Sequence, residues 1–272
     1  MRLAASVAAL PRRLALLLGL LAALALVGPW LTPHGAAALD LGHAHPAPPT
    51  LRGAHWLGTD ALGRDAYARL IAGYRVSLGI ALGSAAVSVA IGAAVGIGAG
   101  LAGGWRAQFL LRLVELMAVV PQVFVVILVS FVLGRGPAAV LIGLVPLGWL
   151  PVARVLYAAT AELARQPYIE AARASGVPSP RLLTRHVLPN LRAPLLTSFT
   201  VAVPQFVLTE GFVSFLGLGV QDPGASLGLL LGEAGAALDS APWLLAGPAA
   251  LLATLVFTLN ALADRQSLAA VR

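Results

Sequence analysis

Residues 162–194 read ELARQPYIEAARASGVPSPRLLTRHVLPNLRAP, the longest polar interruption in an otherwise lipid-soluble chain. Arg165, Arg173, Arg181, Arg185 and Arg192 lie within it, and Arg154 stands just upstream. Pro167 sits where a helix can begin, because its missing N–H is not needed in a first turn. Ala171, Ala172 and Ala174 favour helix, and Gly176 with Pro178 ends it. A second short helix is expected after Ser179 or Pro180. The spacing therefore predicts a helix–turn–helix lying across a membrane face, offering small alanines and the acid Glu170 to a partner. An ordinary solvated connector would share that spacing.

The membrane assignment follows from what surrounds this loop. Of 272 residues, 59% are hydrophobic and only 11% charged, and the mean hydropathy is +0.88. A soluble domain carries about 25% charged residues, so the balance is that of an integral membrane protein. Six apolar stretches are expected to span: 14–27, 76–101, 113–133, 138–157, 195–216 and 243–262, most of them near the ~20 residues that cross a hydrocarbon core. Before the first span lie Arg2, Arg12 and Arg13. This basic start resembles a signal peptide, yet Gly28-Pro29-Trp30 makes a poor cleavage site, and Trp30 suits an interfacial belt. An uncleaved first helix is the preferred reading. In residues 32–75, several prolines give way to a turn and a short amphipathic helix, with Asp60 or Asp65 as its N-cap. The second span is dense in glycine (Gly79, Gly83, Gly92, Gly96 and Gly100), the small-xxx-small pattern that lets helices approach closely in lipid. Pro121 interrupts the third span.

An even number of spans places both termini on one side. That side then holds 13 arginines, and the other holds 5 (Arg52, Arg64, Arg69, Arg75 and Arg135). The positive-inside rule puts the termini and the 162–194 loop in the cytoplasm. A net charge of +7 could suggest nucleic acid, but the arginines cluster between apolar spans, so no nucleic-acid partner is expected. The domain reading is an N-terminal helix with its external loop (1–75), a transmembrane domain (76–264) and a cytoplasmic tail (265–272).

Several motifs have simpler explanations. The GxGxxG match at Gly98–Gly103 ends an apolar span and lacks the βαβ unit that would make it a dinucleotide site. The GxSxG match around Ser226 lacks an α/β-hydrolase frame. His34, His43, His45 and His55 fall within 22 residues, but without fixed-loop or i,i+4 spacing they read as a solvated loop rather than a metal site. Neither Cys nor Lys occurs. A P-loop with its phosphate-gripping lysine is therefore excluded, so the chain is not the ATPase of its own system, and no enzymatic activity is expected of it. No cofactor is expected. Glu115 and Glu210 fall within or at the edge of spans, where an unpaired charge costs ~2.5–3.5 kcal/mol. Either they line a translocation path or pair within protein, or they reach the interface at a span end; Arg75 and Arg112 are candidate partners.

The EAAxxxG pattern of Glu170, Ala171, Ala172 and Gly176, followed by Leu188-Pro189, resembles the EAA signature of permease subunits in binding-protein-dependent ABC importers. HWLGTDALGRDAYARLIAGYRVSL (55–78), GLAGGW (100–105), LRLVELMAVVP (111–121), RHVLPN (185–190) and EGFVSFLGLGVQDP (210–223) resemble the dipeptide/oligopeptide/nickel class, specifically its second subunit. The resemblance covers roughly residues 14–264. The sequence departs from the family's pattern at Arg106-Ala107-Gln108, where an Asp usually follows the GGW turn.

The resemblance implies an all-α type I permease fold of six transmembrane helices in a bacterial inner membrane. It also implies a coupling helix between helices 4 and 5 that docks on a separate ATPase, with Glu170, Ala171, Ala172, Arg173, Gly176 and Pro189 as the coupling residues. The implied partners are a homologous permease subunit, two ATP-binding subunits and a periplasmic or lipid-anchored substrate-binding protein. Di- or oligopeptides are the expected substrates, with nickel or a metal chelate as the alternative. From another class, an ion-coupled secondary transporter would use Glu115 and Glu210.

Overall fold

A computed structural model describes residues 12–39, 46–50 and 55–271, with side chains as far as residue 267. Among the described residues the chain forms helices and no strand. In order these are α1 (Arg12–Val27), a 3-10 turn (Gly28–Leu31), α2 (Ala66–Ala102), α3 (Gly104–Met117), α4 (Gln122–Leu133), α5 (Pro137–Ala164), α6 (Pro167–Ala174), α7 (Ser179–Leu182), a π turn (Leu183–Val187), α8 (Leu188–Asn190), α9 (Arg192–Phe215), α10 (Leu227–Ala236) and α11 (Trp243–Val271). Five helices are long and apolar enough to cross a membrane: α2, α5, α9, α11 through Ser267, and α1 with the 3-10 turn that follows it. The bent pair α3 and α4 makes a sixth span if counted as one.

The glycines of α2 decide how these helices are arranged. A Cβ built on Gly92 would stand 2.6 Å from Val152 Cβ, and one on Gly100 would stand 2.6 Å from Thr160 Cβ. Gly83 faces Leu141, and Gly96 faces Ala153 and Tyr157. Contacts advance in the same direction along both helices, so α2 and α5 pack in parallel, with backbones closer than any side chain would allow. Parallel neighbours require the chain between them to return from one end to the other. Among the described residues only α3 and α4 lie between them, so the pair completes one broken crossing.

The other helices follow by the same reasoning. Tyr74 donates to Leu21 O at 3.0 Å and Tyr67 to Gly28 O at 3.3 Å, which sets α1 antiparallel to α2. Gly148 of α5 meets the Phe206 ring of α9, and Thr200 of α9 donates to Gln266 of α11 at 2.8 Å. The described ends of the chain, Arg12 and Val271, therefore lie at the end of the bundle that carries residues 162–194. The starts of α2, α5 and α11 lie at the opposite end, with the ends of α1 and α9. A main apolar cluster joins Tyr74, Ala81, Leu144, Phe206 and Leu227, and a smaller one joins Ile97, Leu156, Ile169 and Leu191.

Two expectations change in detail. Asp65 is the N-cap, its carboxylate accepting from Ala68 N–H at 2.6 Å. From there α2 runs without a break through Arg75 and Val76, so the expected short amphipathic helix and the second span form one helix of 37 residues. No glycine or proline stands between residues 74 and 78 to end it. The third span is interrupted at Pro121 as expected, dividing into α3 and α4, which meet at 75°, but its helix begins at Gly104 rather than 113. Pro121 explains the break, since it offers no N–H and disfavours helix at Val120.

Candidate functional site: the polar loop and the charged outer end

Within the polar loop, Gln166 takes an extended conformation and Pro167 opens α6. The helix ends in a Schellman motif: Gly176 N–H donates to Arg173 O at 3.0 Å and Val177 N–H to Ala172 O at 3.1 Å. Gly176 carries the left-handed turn at φ +76°. Val177 and Ala172 both pack on the smaller apolar cluster, and Ile169 is fully buried in it. One side of α6 is thus held against α2 and α5. The opposite side, with Glu170, Ala171 and Arg173, is exposed, as is Gly176. Among the described residues neither Glu170 nor Arg173 has an ion-pair partner within the chain.

Pro189 sits elsewhere. It is half-buried in α8, just past the π turn, where Leu188 N–H reaches back to Leu183 O. A proline cannot donate to the carbonyl four residues earlier, and a π turn absorbs such a mismatch. The helix–turn–helix expected from sequence is present. Ile169, which fixes it to the bundle, was not singled out in the sequence, although it is the isoleucine within the PYIEAARA helix.

The two acidic candidates occupy different surroundings. Glu115 is exposed on α3 and pairs with Arg112 at 3.1 Å, one of the two partners proposed for it. Glu210 is fully buried in α9. Its Oε1 accepts from Ser214 at 2.8 Å, and the hydroxyls of Ser77 and Ser226 also face the carboxyl. Its Oε2 makes no hydrogen bond among the described residues. Ser226 is itself buried and caps α10, accepting from Leu229 N–H at 3.2 Å, which accounts for the GxSxG match.

A charged constellation that the sequence did not announce lies at the opposite end of the bundle. Arg69 is 1% exposed, and its Nη2 donates to both carboxylate oxygens of Glu233 at 2.8 Å. Arg64 binds Asp60 and Asp222, each at 2.7 Å. Charge-assisted pairing offsets the cost of burying these guanidiniums. These groups border an open cavity of 660 Å³ that also touches Trp243 and Leu244. Burial works against ionisation of Asp222, but the hydrogen bond and charge of Arg64, with Arg69 beyond, hold it below its ordinary value. For Glu233 burial prevails over Arg69 and pushes the carboxyl up. In sequence the only signal was an arginine inside the apolar run ARLIAGY, since Asp222 and Glu233 are more than 150 residues away.

From sequence the four histidines read as a solvated loop rather than a metal site, and the structure departs from that at two of them. His43 and His45 lie outside the described residues, whereas His34 and His55 converge on Asp65.

With this geometry in view, the chain belongs to the family of binding-protein-dependent transport system inner membrane components, whose family model matches residues 92–268. It is a multi-pass membrane protein of the ABC importer permease fold. It is 34% identical over 238 residues to the oligopeptide transport system permease protein OppC of Haemophilus influenzae, covering 88% of this chain and 76% of the relative. Against OppC of Salmonella typhimurium the identity is 37% over 249 residues, covering 92% and 82%. It is 31% identical over 248 residues to the dipeptide transport system permease protein DppC of Bacillus subtilis, covering 89% and 75%. Among solved structures, a chain of the inward-facing MetNI methionine ABC transporter (CY5 native crystal form) superposes with a TM-score of 0.60. That match is 21% identical and covers 75% of this chain and 97% of the other.

Proposed function

We propose that this chain is the permease subunit of an ATP-driven importer of di- and oligopeptides, coupled through the 162–194 loop to a separate ATPase. The observation that carries the coupling role is α6 itself. Ile169 anchors it to the ends of α2 and α5, while Glu170, Ala171 and Arg173 face outward without partners in the chain. Small side chains beside one acid and one base make a flat, charged knob suited to a groove, and motion of that knob is passed to the bundle through a packed core rather than a loose tether. The peptide assignment is supported by the relatives, which are oligopeptide and dipeptide permeases.

The functional unit pairs this chain with a homologous permease, two ATP-binding subunits and a periplasmic or lipid-anchored substrate-binding protein. ATP-driven closure of the ATPase dimer moves α6, and the bundle alternates between inward- and outward-open states. The exposed apolar residues Phe124, Leu128 and Phe131 of α4 face the partner permease or lipid. Glu210 contributes a buried carboxyl beside the path, and Glu115 an interfacial charge paired with Arg112. The loop and both termini lie in the cytoplasm, in keeping with the arginine bias.

Tagged protein should bring down an ATPase subunit, and Glu170→Arg should weaken that association or cut substrate-stimulated ATP hydrolysis severalfold at unchanged expression. If the chain purifies alone and moves peptides into liposomes without ATP, the reading fails. An alkaline phosphatase fusion after Gly136 should be active and one after Ser179 inactive; the reverse would overturn the orientation.

A further inference from the structure

At the end of the bundle away from the coupling loop, three metal-ligating side chains from separate segments meet. His34 follows the 3-10 turn that ends α1, His55 opens the turn leading to α2, and Asp65 caps α2. Each offers a ligand atom, and all three atoms lie within 4.8 Å of one another. His55 Nδ1 and Asp65 Oδ2 are 2.8 Å apart. The His34 and His55 rings stack at 4.6 Å with a 31° tilt. A pocket of 240 Å³ opens between them, lined otherwise by Ala38, Leu39 and Gly63.

His34 Nε2 is the atom that needs explaining. It is buried and makes no hydrogen bond among the described residues, whereas buried polar atoms in folded proteins are nearly always satisfied. Asp65 cannot simply swing across to it, because its other oxygen is committed to capping Ala68 N–H at 2.6 Å. The carboxylate is therefore preset, with its second oxygen directed at His55.

We infer that His34, His55 and Asp65 form a binding site for a first-row divalent metal ion of the zinc, nickel and cobalt series. Imidazole nitrogens with one carboxylate suit these ions, and the absence of thiolate disfavours softer ones. Ligands at zinc's ~2.0–2.1 Å bond length stand about 3.4 Å apart in a tetrahedron, so closure from the present separation needs side-chain rotation and little more. The ion takes the place of the proton between His55 Nδ1 and Asp65 Oδ2 and gives His34 Nε2 its missing partner. The neutral His55 imidazole changes tautomer as it ligates, its one N–H moving from Nδ1 to Nε2. A fourth position stays open to water through the pocket. The ion ties the segment after the first span to the start of α2, one residue from Arg64 of the charged network. The inference is independent of the transported substrate and of the coupling role.

The test uses the full-length chain, untagged and in complex with its partner subunits in detergent, stripped with chelator and then titrated with Co²⁺, Zn²⁺ or Ni²⁺. The expected result is one tightly bound ion per chain, a Co²⁺ visible spectrum showing nitrogen and oxygen ligation that Zn²⁺ displaces, and a metal-dependent rise in melting temperature. His34→Ala and His55→Ala should each weaken binding by at least ~10–100-fold, the loss seen even when only a group supporting a ligand is removed. Each should also abolish the thermal shift while eluting as an intact complex. His34→Cys, which keeps a ligand, should retain binding and change the cobalt spectrum. No bound ion in the wild-type complex, or binding of equal affinity in His34→Ala, overturns the proposal.

Discussion

Gly176 sits at φ +76° with nothing within 4 Å of the place a Cβ would occupy, so the demand on this position is conformational alone. Substituting Ala forces an L-residue into the left-handed region at a cost of roughly 1–2 kcal/mol, with no clash to add. Gly176→Ala should therefore assemble normally yet lower the ATPase–transport coupling ratio, because the Schellman turn that fixes the exposed face of α6 is strained. Gly176→Asn should recover much of the loss, since Asn tolerates the same turn. Transport per ATP hydrolysed in proteoliposomes is the measurement, and equal coupling in all three proteins would refute the idea. This glycine was legible in the sequence because a helix stop is a local event. Ile169 was not, because its burial depends on a cluster that draws in Ile97 of α2, far away in the chain. The charged network was hidden for the same reason: each acid looked like a loop residue until folding placed an arginine beside it.

At the scale of elements, the glycines of α2 divide into two kinds that sequence alone does not separate. Gly96 is buried against the backbone of Ala153, whereas Gly98, two residues on, faces open space. Gly98→Ala should be neutral or stabilising by up to about 1 kcal/mol, as expected for Ala over Gly on an open helix face. Gly96→Leu should push α2 and α5 apart and prevent assembly. Size-exclusion profiles and melting temperatures of the two variants check this, and similar behaviour would refute the parallel seam. The small-xxx-small pattern announced that α2 packs closely, but not on which neighbour or in which direction. Pro121 likewise announced a break without its angle, since a proline fixes what the backbone cannot do and leaves the new direction to packing.

For the molecule as a whole, Arg64 and Arg69 close a loop more than 150 residues long by binding Asp222 and Glu233. Asp222 has a lowered folded-state value. Its contribution to stability is thus fully present above the unfolded aspartate value of about 3.9 and is lost as pH falls through the folded one. The wild-type melting temperature should consequently fall more steeply below about pH 4 than that of Asp222→Asn, which has already lost the pairing. The side chain is half exposed, so screening keeps the difference small and high salt should narrow it. Parallel slopes for the two proteins would show that Asp222 contributes nothing.

The unbroken run of α2 from Ala66 to Ala102 has a mechanical consequence. At 1.5 Å per residue it is a rod about 55 Å long. Its first turns hold Arg69 in the charged network, and its far end lies beside Ile169 beneath α6. Because Gly92, Gly96 and Gly100 sink into α5 along the half nearer α6, α2 and α5 move as one body, and a pivot of roughly 5° about the middle of α2 carries each tip about 2.4 Å in opposite directions. A small push on α6 thus reaches the ion pairs at the other end as leverage, with no chain of side-chain rearrangements needed between them.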